Sequence, residues 1–320
     1  MAEYTPTLKI IVVNWNAGEQ LRDCIISITK AKQKCLFLSE VIVVDNGSID
    51  GSLIGIDVLG VPLSIVRNEK NLGFAAACNQ GAKDATEDYL LFLNPDMVLF
   101  ESSLIEPLEY MERLENFDVG ISGIQLLDES ARVARSCSRF PSLGIFLAQL
   151  LGLNRLPWLR HLTQSMAEWT HDETRYVDQV IGAFFLIRRP IFEALGGFDQ
   201  RFFVYFEEVD LSYRASKLGF LSVYLTEAQA FHAGGGTSSK VKAHRLFYSL
   251  RSRLLYGFKH FTPLQAWLLL LITLILEPCS RVLFALAKGN RRDARHTLKG
   301  YWMLLRDMHN ILKVSVSSKS

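Results

Sequence analysis

Short apolar runs alternate with helix-like segments through the first hundred residues, and this alternation limits the fold more than any other feature. The apolar runs occupy residues 8–13, 40–45, 63–67 and 89–93, and they are rich in β-branched residues and leucine. They lack strict alternation with polar residues, so both faces of each strand are expected to be buried, as in a parallel sheet covered by helices. The sequence therefore predicts an α/β fold with a mostly parallel sheet and helices on both faces.

Polar residues follow three of these predicted strands, at the point where each strand ends. The clusters are Asn14-Trp15-Asn16, Asp45-Asn46-Gly47-Ser48 and Asn94-Pro95-Asp96. Parallel α/β sheets bind their ligands beyond the carboxyl ends of the strands. Pro95 cannot donate to a sheet and disfavours helix before it, so it ends the strand and leaves Asp96 at the sheet edge. A lone aspartate here could be a turn residue; three polar strand ends together favour a binding site.

Three acids, Glu207, Glu208 and Asp210, directly follow the aromatic run FFVYF at 202–206. On a helix Glu207 and Asp210 share a face, and Arg214 lies four residues beyond Asp210. One interpretation is an ion-paired helix start at the surface, because acids favour helix N-termini. The other is a carboxylate that emerges at a buried edge, where desolvation raises its pKa and suits it to act as a base.

His232 precedes a run of small residues, AGGG, which predicts a flexible loop. A single histidine is usually structural. Beside a glycine-rich loop, in a chain that carries acids at strand ends, His232 is a candidate metal ligand.

Composition describes a packed protein, with 49% hydrophobic and 21% charged residues in 320. The net charge of +2 gives no reason to expect a nucleic-acid partner. Five scattered cysteines without a CxxC pair fit a reducing compartment and no structural zinc. The N-terminal residues MAEYTPTLKIIVV do not form a signal peptide, so we expect the start of the chain to stay in the cytoplasm.

The C-terminal part is apolar and then basic. Residues 264–276 are largely apolar but too few to span a bilayer of about 30 Å, and continuing to 287 would place Glu277 and Arg281 in lipid. Residues 288–320 hold eight Lys or Arg and two Asp, a net +6. We expect helices that lie in or dip into the membrane interface; a helical pair packed on the catalytic domain is the alternative.

A second apolar segment, residues 140–162, is interrupted by Asn154, Arg155 and two prolines. It is either a core helix or an exposed apolar flap for a hydrophobic acceptor.

Seven segments in order resemble the family-2 glycosyltransferases, which have the GT-A fold, and the similarity is greatest to the rhamnosyltransferase-like branch. The similarity covers roughly residues 8 to 260. The segments are VVNWNAGEQLRDCI, VIVVDNGSIDGS, NEKNLGFAAACNQG, LFLNPDM, GAFFLIRRPIFEALGGFD, FFVYFEEVDLSYR and HAGGGTSS. The resemblance implies a GT-A catalytic domain over 1–240 and a helical, membrane-associating region over 241–320.

The resemblance also implies roles for single residues. Asp45 matches the acid that contacts the nucleoside, and the nucleotide-sugar site further includes Asn14, Asn16, Asn71, Gly73 and Asn94. NPD matches a metal motif usually written DxD, so Asp96 carries the carboxylate for Mg²⁺ or Mn²⁺, with His232 as a second candidate ligand. EEVD matches a motif usually written EDxD, whose second acid is the general base. That acid is Glu208 here, one methylene longer than aspartate, so Glu207 or Asp210 could share or take the role.

We therefore expect an inverting, metal-dependent glycosyltransferase that moves a sugar, with rhamnose from dTDP-rhamnose as a candidate, to a polyprenyl-diphosphate-linked or other saccharide. Such a reaction builds bacterial surface polysaccharide such as lipopolysaccharide, and the expected place is the cytoplasmic face of the inner membrane, as a peripheral or monotopic protein. The alternative is a catalytically silent homologue that binds nucleotide-sugar or scaffolds an assembly complex. The departures at Asn94 and Glu208 support that alternative.

Overall fold

The computed structural model describes residues 5–31, 36–57, 60–166, 168–234 and 242–317. Within these ranges the strands are β1 (Thr7–Asn14), β2 (Phe37–Asp45), β3 (Leu63–Arg67), β4 (Tyr89–Leu93), β5 (Met97–Leu99), β6 (Val119–Leu127), β7 (Val133–Ala134), β8 (Cys137–Ser138), β9 (Arg175–Val177), β10 (Gln179–Val180), β11 (Phe184–Arg188) and β12 (Leu221–His232). The α-helices are α1 (Glu19–Lys30), α2 (Phe74–Gly81), α3 (Ile105–Glu112), α4 (Leu143–Leu150), α5 (Arg189–Ala194), α6 (Glu207–Lys217), α7 (Lys242–His260), α8 (Pro263–Leu271), α9 (Glu277–Ala287) and α10 (Arg291–Ser317).

Ten of the described strands form one mixed sheet, whose main order is β3-β2-β1-β4-β11-β6-β12-β5. Strands β3, β2, β1 and β4 are mutually parallel. Strand β11 runs antiparallel between β4 and β6, β12 is parallel to β6, and β5 lies antiparallel on β12. The predicted α/β fold with a mostly parallel sheet is confirmed.

The sheet is buried on both faces, as the continuous apolar strands predict. Ile10 and Val12 of β1 pack in one layer with Leu21 and Ile25 of α1. Ile11, between them, points into the opposite layer, which contains α2. Successive strand residues point to opposite faces, so one strand of apolar residues supplies both layers.

The chain divides into two compact units. The first contains residues 1–140, 165–200 and 208–237, and the second contains 141–164, 201–207 and 238–320. The second unit therefore includes two segments that precede residue 240, besides the C-terminal helices.

The C-terminal apolar stretch is longer than the sequence pattern indicates. Helices α8 and α9 are joined by a π-helical turn, Ile272–Leu276, into one helix from Pro263 to Ala287. Its 25 residues are long and apolar enough to cross a membrane by length and composition, and 33% of its most apolar window is buried within the protein. The π-helical turn ends two residues before Pro278, which has no N–H to donate to the regular helical hydrogen bonding.

Glu277, which we expected to interrupt this helix, is only 8% exposed, and its ion pairs with Arg253 of α7 and with Arg281 compensate for the burial of its charge. Residues 140–162 are partly buried, as a core helix would be, and partly exposed, while a role as a flap for a hydrophobic acceptor stays a prediction. Ile145 and Phe146 of α4 are buried, whereas Leu151 and Trp158 are 67% and 71% exposed.

Candidate active site

The ends of β1 and β2 meet through their side chains. Asn14 and Asp45 are the last residues of the two strands and are register partners. Asn14 Nδ2 donates to Asp45 Oδ1 at 2.7 Å, and the backbone N–H of Ser48 donates to Asp45 Oδ2 at 3.1 Å. Both side chains are buried, and Asn14 Oδ1 has no hydrogen-bond partner among the described residues. The two predicted polar strand ends therefore form one rigid cluster with a free acceptor.

Asn16 fixes the loop that follows β2. Its backbone N–H donates to Ser48 Oγ at 2.8 Å, and its Oδ1 accepts from the N–H of Ile49 at 2.9 Å. Asn16 has a φ of +52°, in the left-handed region that asparagine tolerates better than most residues. The loops after β1 and β2 are thereby held together beyond the sheet edge.

Asn71 and Gly73 lie beside the same edge. The N–H of Gly73 donates to Asn71 Oδ1 at 2.8 Å, and Asn46 Nδ2 donates to the Gly73 carbonyl at 3.1 Å. Gly73 has a φ of +93° and precedes α2, a conformation that favours glycine. Asn46, a residue without an assigned role in the sequence analysis, connects the end of β2 to this loop. The sequence feature that could have identified Asn46 is its position within the polar cluster Asp45–Ser48.

Asp96 and His232 are brought together by a strand pairing that could not be predicted from the sequence. After Asn94 and Pro95 the chain turns into β5, which pairs with the end of β12 so that Met97 faces His232. His232 Nε2 then lies 3.3 Å from Asp96 Oδ1, and the N–H of Ala233 donates to the Asp96 carbonyl at 3.2 Å. Residues 235–241 of the glycine-rich run lie outside the described part of the chain.

The Asp96–His232 pair fits a divalent cation. Asp96 Oδ1 is shielded from solvent and forms no hydrogen bond with the described residues, and the two side chains are only 13% and 17% exposed. A carboxylate suits Mg²⁺ and Mn²⁺, and an imidazole suits a transition metal. No group of three or more His, Cys, Asp or Glu that could hold a metal occurs among the described residues.

Helix α1 supports the turn that carries Asp96. Cys24 Sγ lies 3.6 Å from the Asn94 carbonyl, and Ser27 Oγ accepts from the N–H of Leu99 at 2.9 Å. Burial, and then the negative charge of Asp96, raise the pKa of the Cys24 thiol well above its ordinary value. Cys24 and Ser27 are positioning residues that sequence reasoning missed, because on α1 they look like ordinary members of an amphipathic helix.

Glu208 stands in the first turn of α6, beside the strand that adjoins β4. A Cβ placed on Gly182 would lie 3.9 Å from the Glu208 Cβ and 3.7 Å from the Phe74 ring. The neighbouring Ala183 carbonyl accepts from the N–H of Asn94 at 2.9 Å. Glu208 Oε2 is shielded from solvent and has no hydrogen-bond partner among the described residues, although the residue as a whole is half-buried. Burial raises the pKa of Glu208 above the ordinary carboxyl range.

The backbone before the acids is strained. Tyr205 and Phe206 have φ values of +68° and +72°, in a region that bulky aromatic residues rarely occupy. Such strain costs of order 1–3 kcal/mol per residue and concentrates at functional sites. Glu207, the first residue of α6, directly follows this strained pair and is itself buried.

Asp210 is fully buried and forms an ion pair with Arg214, 2.8 Å away on the next turn. Arg214 also donates to the carbonyls of Leu195 and Gly197, at 2.7 and 2.8 Å. These bonds attach α6 to the turn after α5. Asp210 is thus ion-paired as one interpretation of the sequence expects, but it is buried and not at the surface. Glu208 combines a half-buried side chain with a raised pKa, as the other interpretation expects, and its role as a base stays a prediction.

Asp210→Asn is expected to lower the free energy of unfolding by about 3 kcal/mol, because it leaves the Arg214 charge without its buried partner. The matched control is Glu193→Gln, which removes the exposed ion pair of the same spacing between Arg189 and Glu193 and should cost under about 0.5 kcal/mol. Urea unfolding of the two variants measures the difference. Equal losses would show that the Asp210 pair does not hold α6 in place.

Residues 9–196 match the family described as glycosyl transferase family 2. The N-acetylglucosaminyl-diphospho-decaprenol L-rhamnosyltransferase of Mycobacterium tuberculosis is 29% identical over 259 residues, which cover 75% of this chain and 82% of the relative. Rhamnosyltransferase WbbL of Escherichia coli K12 is 34% identical over 154 residues, covering 47% of this chain and 53% of the relative.

Among solved structures, the mannosyltransferase PcManGT from Pyrobaculum calidifontis, in complex with GDP-Man and Mn²⁺, superposes with a TM-score of 0.56 and 16% identity. The match covers 95% of this chain and 88% of that one. At this identity the likeness concerns the fold, and it confirms the GT-A fold that the resemblance implied.

Proposed function

Because the chain belongs to glycosyl transferase family 2, we propose that it transfers rhamnose from dTDP-rhamnose to a saccharide carried on a polyprenyl diphosphate, with inversion of the anomeric carbon. Two relatives are named rhamnosyltransferases, which supports the donor sugar. One of them is named for a diphospho-decaprenol substrate, which supports the lipid-linked acceptor. The product of such a step belongs to a bacterial surface polysaccharide.

The observation that carries the proposal is the pair formed by Asp96 and His232. A buried carboxylate oxygen without a hydrogen bond, 3.3 Å from an imidazole nitrogen, supports a site for Mn²⁺ or Mg²⁺. When bound, such a cation neutralises charge on the departing nucleoside diphosphate. Asn94 cannot contribute a second carboxylate, so the amide is expected to contact the donor.

The nucleoside part of the donor is assigned to the cluster at the ends of β1 and β2. Asp45 already accepts two hydrogen bonds that hold its carboxylate in place, and Asn14 Oδ1 remains available to a donor group of the ligand. Asn16, Asn71 and Gly73 line the loops on either side. A prearranged cluster of this kind binds without reordering its own side chains.

Glu208 is assigned as the general base. Its Oε2 has no hydrogen-bond partner among the described residues and is assigned the proton of the acceptor hydroxyl, and burial raises the pKa of this carboxyl above its ordinary value, which makes it a stronger base. The hydroxyl oxygen can then attack the anomeric carbon while the nucleotide leaves from the opposite side. A single displacement of this kind inverts the configuration. Asp210, held by Arg214, and the buried Glu207 position the helix that carries the base.

Membrane association is suggested by the apolar C-terminal helix, and we propose the cytoplasmic face of the bacterial inner membrane as its place. Trp267 and Leu271 are 51% and 52% exposed on this helix, and Trp302 of α10 is 55% exposed. Lys and Arg follow in residues 288–320. Exposed tryptophans beside basic residues are typical of a protein face at the boundary between lipid and water.

Trp267→Glu is expected to weaken binding to anionic vesicles about tenfold, because it removes a large apolar side chain from the lipid and adds a negative charge. Phe117→Glu is the matched control, since Phe117 is 76% exposed and belongs to the first unit. Co-sedimentation with vesicles of phosphatidylcholine and phosphatidylglycerol measures both. If the two substitutions have the same effect, this helix does not provide the membrane contact.

A donor screen tests the proposed reaction. The full-length protein is incubated with dTDP-rhamnose, UDP-sugars and GDP-mannose in turn, with Mn²⁺ and a synthetic polyprenyl-diphosphate-linked saccharide, and nucleotide release is measured. We expect release with dTDP-rhamnose that depends on the acceptor. Tight binding of a nucleotide-sugar without any transfer would instead favour the silent homologue, and transfer of a different sugar would correct the donor.

A further inference from the structure

The second unit contains a cavity of about 450 Å³ between α4, the turns after it, α7 and the long apolar helix. Three arginines line it, Arg155, Arg253 and Arg281, and the acid among its lining residues is Glu277. The charged lining therefore carries a net positive charge. Its volume is within the range of small-molecule sites.

The arginines differ in how far their charge is already neutralised. Glu277 forms ion pairs with both Arg253 and Arg281. Arg253 also donates to Thr273 Oγ1 at 3.0 Å, but its Nε is buried without a hydrogen bond to any described residue. The guanidinium of Arg155 lies 5.2 Å above the Phe284 ring and forms no ion pair within the described residues. The Arg155 guanidinium thus remains for a ligand, whereas Arg253 Nε is buried beside the cavity.

Apart from Gln149 and Ser280, the remaining lining is apolar, and part of it is exposed. Phe146 and Ile272 are buried in the wall, whereas Leu151 and Phe284, which also line the cavity, are 67% and 46% exposed. Ile272 begins the π-helical turn, a distortion that recurs at functional sites. A basic interior with an exposed apolar rim is complementary to a molecule that joins an anion to a hydrocarbon chain.

We propose that this cavity binds the phosphate or diphosphate group of a membrane lipid, with Arg155 as the principal contact and the lipid chain along Leu151 and Phe284. Arginine is suited to the role because its planar fork matches phosphate oxygens. The two sources of this chemistry are an isoprenoid diphosphate, as in the proposed acceptor, and the headgroup of a bilayer phospholipid. The lipid nature of the ligand rests on the proposed function.

Arg155→Gln tests the proposal, with Arg292→Gln as the control that removes the same charge from an exposed position of α10 outside the cavity. The probes are farnesyl diphosphate, farnesol and inorganic diphosphate, measured by calorimetry on the full chain in uncharged detergent. Vesicles of phosphatidylcholine with or without phosphatidylglycerol form the second arm. Arg155 is exposed, and its guanidinium lies over the Phe284 ring without an ion pair to any described residue, so the variant should fold, and its melting curve checks this.

We expect Arg155→Gln to weaken farnesyl diphosphate binding at least about tenfold while Arg292→Gln has little effect, since one charge-assisted contact is lost. That result identifies an isoprenoid diphosphate. A selective loss of phosphatidylglycerol vesicle binding in Arg155→Gln identifies a phospholipid headgroup, and also supports the proposal. Equal losses in both variants, no loss in either arm, or inorganic diphosphate binding as tightly as farnesyl diphosphate would overturn it. Because no sugar transfer is measured, failure here leaves the proposed reaction standing.

Discussion

Asp96→Ala should reduce metal-dependent turnover by at least about 10³, because loss of the carboxylate removes several kcal/mol of charge stabilisation at the departing diphosphate. The physical basis is the position of Asp96 on the turn between β4 and β5, where His232 is the neighbouring ligand candidate. With Asn94 in place of the second acid, the chain has no other carboxylate on this turn. Initial rates at saturating Mn²⁺ measure the effect.

The fold should survive this substitution, since Asp96 Oδ1 forms no hydrogen bond with the described residues and the turn is held by backbone bonds to Ala183 and Ala233. Asp57→Ala, at an exposed aspartate of the same unit, is the control and should retain full activity. A variant at Asp96 that keeps near-normal turnover with unchanged Mn²⁺ dependence would remove Asp96 from the metal site.

Glu208→Gln should lower kcat by about 10²–10⁴, the usual loss when a positioned base is removed, while nucleotide-sugar binding remains. The wild-type rate should rise with pH as Glu208 loses its proton. Because burial raises its pKa, this acidic limb should lie above the ordinary carboxyl range. Glutamine keeps the shape but cannot take the proton, so the limb should disappear from the variant's pH–rate profile.

Glu207→Gln and Asp210→Asn are the controls for the base, since they change the neighbouring acids of the same helix. Both should cost less in turnover than Glu208→Gln, and Asp210→Asn should lose stability instead. If Asp210→Asn is inactive under conditions where it is folded while Glu208→Gln retains turnover, the base lies two residues further along the helix than we assign it.

The parallel part of the sheet could be predicted because each of its strands is encoded by residues that are adjacent in sequence. Apolar strands such as 8–13 and 89–93 can be recognised without their neighbours, and parallel pairing then places their polar ends on one edge. The hydrogen bond between Asn14 and Asp45 follows from that register. The same reasoning located Asp96, since Pro95 marks the end of its strand.

The pairing of Asp96 with His232 could not be derived in this way. It depends on β5 adding to the far end of the sheet against β12, a contact between segments distant in sequence. Tertiary contacts also explain the long apolar helix, where partners in α7 and α9 neutralise Glu277. The support that Cys24 and Ser27 give to the turn carrying Asp96 could not be predicted either, because in the sequence both look like ordinary core residues of α1.

The most direct test of a metal-dependent, inverting sugar transfer is a single assay on the full-length protein with the best donor and a lipid-linked saccharide. Turnover is followed before chelation, after addition of EDTA, and after Mn²⁺ is restored, and NMR determines the anomeric configuration of the product. We predict loss of turnover with EDTA, recovery with Mn²⁺, and a product of configuration opposite to the donor. Full turnover in EDTA, or a product that retains the donor configuration, would contradict the roles of Asp96 and Glu208.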